Sequence, residues 1–196
     1  CNPYQQGWFV PHDVPGMVEI MGGRDKVLAD LESFFENTPR EFYWNPYYNH
    51  ANEPVHHVPF LFNRLGAPWL TQYWTRVICA DAYKNSLAGL CGNEDVGQMS
   101  AWYMFNCAGF YPVAPSSNIY NIGSDRVEIA LDRRYAKGRK FVVTTEGNAP
   151  DACYIQSATL NGKPYNRCYI DHEDIVRGGE LHFVLGRTPN KQWGVE

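Results

Sequence analysis

The sequence predicts an α+β protein in which antiparallel helical hairpins come first and a small antiparallel β-sheet follows. In the first half, apolar residues recur at helical spacing, as in the segment 25–36, which is typical of a helix with one buried face. In the second half, apolar and polar residues partly alternate, which indicates strands. The dipeptide Asn161-Gly162 lies between two such runs and is a strong hairpin signal. These observations place the helices before the strands along the chain.

The individual elements have recognisable limits in the sequence. Asp13 is expected to cap a helix over 14–21, which a pair of glycines then ends. The sequence changes character after a Tyr-Pro-Val run, so we expect a helical region over 1–112 and a β-rich region over 113–196. Further helices are expected over 25–36, 60–65, 68–86 and 98–108, and strands over 126–131, 140–145, 154–160, 163–170 and 181–185.

Composition excludes several classes of protein. The 196 residues carry a net charge of −4 and no basic run, so nucleic-acid binding through an electrostatic stripe is not expected. No apolar run is long enough for a membrane span. The 6 cysteines lack CxxC spacing, so most are expected to be free thiols. Aromatic residues make up 15% of the chain and would serve either the core or a sugar-binding cleft. The chain begins at Cys1 without Met or a basic leader, which indicates a processed chain or a fragment.

The turn 91–97 holds the first candidate site. Asn93, Glu94 and Asp95 lie between two glycines, after one predicted helix and before the next. Hydrolysis of a glycosidic bond needs an acid for the leaving oxygen and a carboxylate that activates water or attacks the sugar. A turn that carries carboxylates could supply the second group. Alternatively, Asp95 caps the helix that starts near Gln98, and spacing alone leaves both interpretations open.

The long segment 37–59 holds the second candidate site. It has no periodicity, and a connection of this length in a compact domain is often functional. Its Asn52-Glu53 pair offers oxygen ligands of the kind that calcium prefers, although the spacing is unlike an EF-hand and a polar loop is the alternative. The segment also contains His50, but the HxxxH spacing of a zinc helix is absent, so hydrogen-bonded histidines are expected.

Five segments of the sequence have a distinctive character and extend together over essentially the whole chain. They are WFVPHD at 8–13, NEPVHHVPFLFN at 52–63, GNEDVGQMSAWY at 92–103, GFYPV at 109–113 and IQSATLNGKPY at 155–165. Taken together, they resemble the C-terminal part of the exo-acting α-mannosidases of glycoside hydrolase family 92.

The resemblance implies a fold, an activity and a cofactor. Family members have an N-terminal β-sandwich followed by an (α/α)6 barrel, so the region 1–112 would be the C-terminal portion of that catalytic barrel. They remove terminal α-mannose with inversion and depend on Ca2+, which holds the terminal sugar and helps to distort its ring. A mannose-containing glycan is thus the expected partner, and the full-length protein is expected to be secreted or periplasmic.

The resemblance also implies roles for particular residues. Asp95 matches the general base that deprotonates the attacking water. Asn93 stands where some relatives carry a second carboxylate, so it is expected to support that base. The residues expected to serve the calcium ion are Asn52, Glu53 and Asp95, and those expected to contact the sugar are His12, Asp13 and His50.

One departure from the family pattern concerns the general acid. In the family it is a Glu just before a segment like 2–6, so the matching residue here would lie upstream of Cys1. The chain alone is therefore expected to be an inactive fragment, and its uncovered helix faces are expected to favour self-association. A non-catalytic carbohydrate-binding module, which keeps a sugar cleft without the acid, is the alternative.

Overall fold

The computed structural model describes residues 1–114, 117–120 and 124–195, and these residues form the expected α+β protein. Two 3-10 turns, Glu53–Val55 and Val58–Phe60, lie between the third and fourth helices. The helices are α1 Pro3–Gln6, α2 Val14–Ile20, α3 Arg24–Glu36, α4 Leu61–Arg64, α5 Pro68–Asp81, α6 Gln98–Ala108 and α7 His172–Arg177.

The helices largely follow the sequence prediction. Asp13 caps α2 as expected, because its Oδ1 accepts a hydrogen bond of 2.9 Å from the Gly16 amide. α5 ends at Asp81 rather than at residue 86, because the chain then folds back and the Lys84 amide donates to the Gly89 carbonyl over 2.8 Å. The sequence does not predict α7, since its 6 residues are too few to show a helical period.

The strands form two sheets, one in the order β1-β2-β7 and one in the order β3-β4-β8-β5-β6. The expected hairpin at Asn161-Gly162 is present between β5 and β6, and both residues have the positive φ angles, 52° and 75°, that a tight hairpin turn needs. The strands are β1 Phe110–Ala114, β2 Ser117–Tyr120, β3 Arg126–Ala130, β4 Lys140–Glu146, β5 Tyr154–Leu160, β6 Lys163–Pro164, β7 Tyr169–Ile170 and β8 Gly179–Gly186.

The prediction of a purely antiparallel sheet is wrong. β4 and β8 pair in parallel, with Phe141 opposite Gly179 and Glu146 opposite Val184, so the larger sheet is mixed. Alternation of apolar and polar residues indicates a strand and its buried face but carries no information about the direction of its neighbour. The expected strand 163–170 is also split, since β6 extends the hairpin while β7 joins the smaller sheet.

Two hydrophobic clusters form the core of the described residues, one among the helices and one among the strands. The chain crosses from one cluster to the other at adjacent positions, because Phe110 packs in the sheet cluster and Tyr111 in the helical cluster. The two parts are in contact, since the Ile155 amide donates to Gln72 Oε1 over 2.9 Å. The division into regions 1–112 and 113–196 stays a prediction.

Two further features concern the chain as a whole. Among the described residues, none of the helices has both the length and the apolar character needed to cross a membrane. All six cysteines lie in the described part of the chain, and no disulfide forms there; Cys153 and Cys168 are buried and Cys1 is exposed.

Candidate active site

The turn 91–97, here called the carboxylate turn, precedes α6 and has an uncommon backbone conformation. Asp95, Val96 and Gly97 have φ angles of 50°, 59° and 95°, so three consecutive residues lie in the left-handed region. For a residue other than glycine this conformation costs on the order of 1–3 kcal/mol, and such strain concentrates at functional sites. The turn leaves the side chains of Asn93 and Asp95 exposed.

Two neighbouring carboxylates of this turn have different partners. Glu94 accepts hydrogen bonds from the amide and the hydroxyl of Ser100, at 3.0 and 2.7 Å, and thereby caps the first turn of α6. The Ser100 amide, and then its hydroxyl, lower the pKa of Glu94. Asp95 contributes its backbone carbonyl, which accepts from the Gln98 amide at 3.3 Å. Capping is therefore the role of Glu94, and the carboxylate of Asp95 is not used in the cap.

Glu53 lies beside Asp95, close enough for a hydrogen bond between the two carboxyl groups. Burial raises the pKa of Glu53, and the neighbouring Asp95 raises it further, because two adjacent negative charges repel each other. Oε1 of Glu53 is buried and has no hydrogen-bond partner in the part of the chain that the structure describes. Two loops that are 42 positions apart in the sequence thus bring one exposed and one half-buried carboxyl group together.

A close backbone approach brings these two loops together. The asparagine loop, residues 49–53, packs against the carboxylate turn at Ala51 and Gly92. A Cβ atom at Gly92 would lie 2.8 Å from both Cα and Cβ of Ala51, so a side chain at this position would push the loops apart. The distance between Glu53 and Asp95 therefore depends on this glycine.

His56 connects the asparagine loop to α6. Its Nδ1 lies 3.1 Å from Gln98 Nε2, and since an amide nitrogen donates, Nδ1 accepts and the ring proton is on Nε2. Nε2 donates to the His50 carbonyl over 3.0 Å, and Trp102 Nε1 donates to the His56 carbonyl over 3.0 Å. Burial lowers the pKa of His56 to about 4, so the ring is neutral at pH 7. α6, which starts directly after the carboxylate turn, is thereby anchored to the loop that carries Glu53.

His50 lies beneath the loops and is 0% exposed. Tyr83 donates its hydroxyl to the Met99 carbonyl over 3.0 Å, so it accepts from His50 Nε2 at 2.7 Å. Nδ1 of His50 then accepts from the Tyr48 hydroxyl at 2.8 Å. Burial lowers the pKa of His50 well below its ordinary value, so the ring is neutral. The expected contact between His50 and a sugar does not fit this burial, and His50 instead supports the loops from below.

The other expected sugar contacts lie in different surroundings. Asp13 is exposed, and its Oδ1 is occupied as the cap of α2. His12 is also exposed and lines a cavity together with Arg24 and Tyr169. The predicted site residues that the structure does bring together are Asn52, Glu53 and Asp95, with Asn93 in the same turn as Asp95.

Several supporting residues give no signal in the sequence. Tyr48, Tyr83 and Gln98 are far apart along the chain and meet only through folding. Glu94 precedes Ser100 by six positions, which is outside the three-residue spacing of a capping box. Sequence spacing is therefore equally consistent with Asp95 as the capping residue. Only the structure shows that Glu94, and not Asp95, has this role.

The paired carboxyl groups fit a hard cation. Oxygen atoms of Glu53, Asp95 and Asn52 are ligands of the kind that calcium prefers, and Oε1 of Glu53 has no protein donor among the described residues. Nδ2 of Asn52 is likewise buried without a described partner, but a nitrogen donor suits a hydroxyl group, so only its Oδ1 counts as a ligand. The described residues contain no group of three or more His, Cys, Asp or Glu side chains that could hold a metal. A calcium site here would thus need further oxygen ligands such as carbonyls or water.

The fold and the paired carboxyl groups place this chain among candidate acid–base hydrolases. The family model described as the glycosyl hydrolase family 92 catalytic domain matches residues 1–187. The chain therefore belongs to glycosyl hydrolase family 92.

Solved structures and a curated protein agree with this assignment. The chain is similar to a family 92 α-mannosidase from Bacteroides thetaiotaomicron, with a TM-score of 0.88 and 36% identity over 98% of this chain and 26% of that chain. An inverting family 92 mannosidase from Bacteroides thetaiotaomicron VPI-5482 gives a TM-score of 0.87 and 35% identity, covering 98% of this chain and 28% of that chain. A protein of Arthroderma benhamiae named an uncharacterized secreted glycosidase is 30% identical over 97% of this chain and 24% of its own length. The chain thus spans about a quarter of the length of these relatives.

Proposed function

We propose that this chain carries the water-activating part of a calcium-dependent, inverting exo-α-mannosidase that removes terminal mannose from glycans. The observation that carries the proposal is the contact between exposed Asp95 and half-buried Glu53, on two loops of a chain that belongs to family 92. The substrate class is supported by a neighbouring α-mannosidase that was solved with mannoimidazole. The stereochemistry is supported by a neighbour described as inverting.

In this proposal, Asp95 acts as the general base. Its exposed carboxylate takes a proton from the water that attacks the anomeric carbon. Asn93 supports it from the same turn, and Nδ2 of Asn52, which has no partner among the described residues, donates to a sugar hydroxyl. Positive charge from calcium, held by oxygen atoms of Asn52, Glu53 and Asp95, would offset the repulsion between the two carboxylates and hold the hydroxyls of the terminal sugar.

Glu53 does not serve as the general acid. An inverting pair keeps its carboxyl groups roughly 6.5–9.5 Å apart so that a water fits between the sugar and the base. Glu53 and Asp95 are instead in contact. In line with the family resemblance, we place the general acid in another part of the enzyme, upstream of Cys1, and the chain alone is expected to be inactive.

The proposal extends to the whole enzyme. The region 1–112 of this chain, which contains α1 to α6, would form the C-terminal portion of an (α/α)6 barrel. The enzyme would be secreted or periplasmic. This is supported by the relative from Arthroderma benhamiae, which is named a secreted glycosidase.

The test measures hydrolysis of an α-mannoside by the enzyme that contains this chain and by the chain alone. The enzyme is expected to release mannose, to lose activity with a chelator and to regain it when calcium is restored. Proton NMR of the first product is expected to show the β-anomer. Chelator-resistant hydrolysis would contradict the calcium role, and the α-anomer as first product would contradict inversion. Mannose binding by the enzyme without any turnover would favour a carbohydrate-binding module instead.

A further inference from the structure

The cavity lined by His12, Arg24 and Tyr169 lies where the helical part meets the β-rich part. It has a volume of about 550 Å³, which is within the range of sites for small molecules. Its walls come from the α2 region, the start of α3, the end of α4 and the segment around Tyr169. Glu53, Asn93 and Asp95 are not among the described residues that line it.

The polar side chains of this cavity favour a ligand that carries negative charge. Arg24 and Arg64 contribute two guanidinium groups, and His12 adds an imidazole. The described lining residues include no Asp or Glu. Arg24 is also the first residue of α3, a helix of 13 residues whose N-terminus has no side-chain cap among the described residues, so the helix dipole adds positive potential there.

Arg24 is held in place by the backbone across the cavity. Its Nε donates to the Leu65 carbonyl over 2.7 Å. A Cβ atom at Gly66 would lie 1.9 Å from Arg24 Nη2, so a side chain at this position would displace the guanidinium group from its observed place. A guanidinium that a carbonyl orients keeps its full charge, and its remaining N–H groups form the planar fork that matches phosphate and carboxylate oxygens.

Asn63 gives an independent indication of a ligand. It lines the cavity, and its side chain belongs to a residue only 7% exposed. Its Nδ2 has no hydrogen-bond partner within the described ranges of the chain. Buried amide groups without a partner are uncommon in folded proteins, so this donor calls for an acceptor that the described residues do not provide.

We propose that this cavity binds an acidic, sugar-sized molecule through its phosphate or carboxylate group. The oxygens of that group accept hydrogen bonds from Arg24, Arg64 and Asn63. The apolar walls formed by Val14 and Val18 contact the uncharged face of the same molecule. The site does not depend on the proposed mannosidase activity, since the three residues that bind the anion, Arg24, Arg64 and Asn63, have no role in that mechanism.

The experiment titrates the protein by calorimetry with inorganic phosphate, with glucuronate and with uncharged glucose, all at one ionic strength. Saturable binding of one phosphate or one glucuronate per chain is expected, with no binding of glucose. Tighter binding of phosphate identifies a phosphorylated ligand, and tighter binding of glucuronate identifies a carboxylated one. Absence of saturable binding for both anions would overturn the proposal.

Variants then locate the site. Arg24→Gln and Arg64→Gln each remove one positive charge from the cavity and are expected to weaken binding at least about ten-fold. Arg133→Gln removes the same charge from an exposed position outside the cavity and is expected to bind like the unmodified protein. Circular dichroism and the melting temperature confirm that each variant is folded. Equal binding by the Arg24/Arg64 double variant and by Arg133→Gln would show that the anion binds elsewhere and would overturn the proposal.

Discussion

Asp95 and Glu94 show how the same chemical group takes different roles at adjacent positions. The carboxylate of Glu94 is used by the amide and hydroxyl of Ser100, whereas that of Asp95 is exposed and lies against Glu53. The sequence predicts that this turn carries a carboxylate of the site. It does not predict which carboxylate caps α6, because the capping contact spans six residues and follows from the left-handed backbone at Asp95 and Val96.

Replacement of Glu53 tests the carboxyl pair through stability. The pKa of Glu53 is raised by burial and by Asp95, so between the ordinary glutamate pKa and the raised value the folded state holds a proton that the unfolded state has lost. This contribution favours folding at low pH and is lost as the pH rises through the raised pKa. Glu53→Gln has no carboxyl group to ionise, so it does not lose stability in this way as the pH rises. The variant is therefore expected to melt at a higher temperature than the unmodified protein at pH 7.

The difference in melting temperature is expected to shrink as the pH falls toward 4.5, the ordinary value for Glu53. Glu19→Gln, at an exposed position on α2, is the matched control and is expected to show no such pH-dependent gain. A Glu53→Gln variant less stable than the unmodified protein at pH 7 would contradict the account of the pair.

At the scale of elements, the segment from His50 to His57 is the support of the site. His50, His56 and His57 are buried, and each ring has a protein partner. The partners are Tyr48 and Tyr83 for His50, Gln98 for His56 and the Trp8 carbonyl for His57. Burial lowers the pKa of all three. The sequence correctly predicts that these histidines are hydrogen-bonded, but their partners come from distant elements and have no sequence signal.

The histidines predict how stability depends on pH. Because the folded pKa of His56 is about 4, below the ordinary value of 6.5, the unfolded chain takes up a proton between these values that the folded chain does not. The stability from neutral His56 is therefore complete above pH 6.5 and is lost as the pH falls toward 4. The loss between pH 8 and pH 5 is on the order of 2 kcal/mol for this residue.

Denaturant unfolding at pH 8 and pH 5 measures this effect. The unmodified protein is expected to lose stability at pH 5, and His56→Gln, which cannot titrate, is expected to lose less. An equal loss in both proteins would show that His56 is not held neutral by its surroundings.

For the whole molecule, the order of helices before strands follows from the periodicity of the sequence, and the bounds of α6 match the prediction at Gln98 and Ala108. The parallel pairing of β4 with β8 could not be predicted, because it depends on how the chain crosses between strands that are not consecutive. The meeting of Glu53 with Asp95 could be expected only from the family resemblance. Neither local propensity nor residue spacing indicates a contact between residues that are 42 positions apart in the sequence.

The exposed side of α6 predicts self-association of the chain. Tyr103, Met104 and Phe105 are 37%, 66% and 37% exposed, which leaves three neighbouring apolar side chains exposed on a helix beside the site. Sedimentation at increasing concentration is expected to show association of the isolated chain, weakened by Met104→Glu. Tyr135→Glu, at a position 81% exposed in the loop between β3 and β4, is the control that should leave association intact. A chain that stays monomeric throughout would contradict this prediction.

The central claim is that Asp95 activates the water in a glycosidase site, and turnover of the enzyme that contains this chain tests it most directly. The measurement compares kcat on an α-mannoside for Asp95→Asn and Glu94→Gln, two amide replacements at adjacent positions. Asp95→Asn is expected to lower kcat by roughly 10²–10⁴-fold, since a positioned general base contributes about that much. Its melting temperature is expected not to fall, because the substitution removes a negative charge beside Glu53. Glu94→Gln is expected to lower the melting temperature while keeping most of kcat, because it removes only the cap of α6. Near-normal turnover by Asp95→Asn would contradict the account.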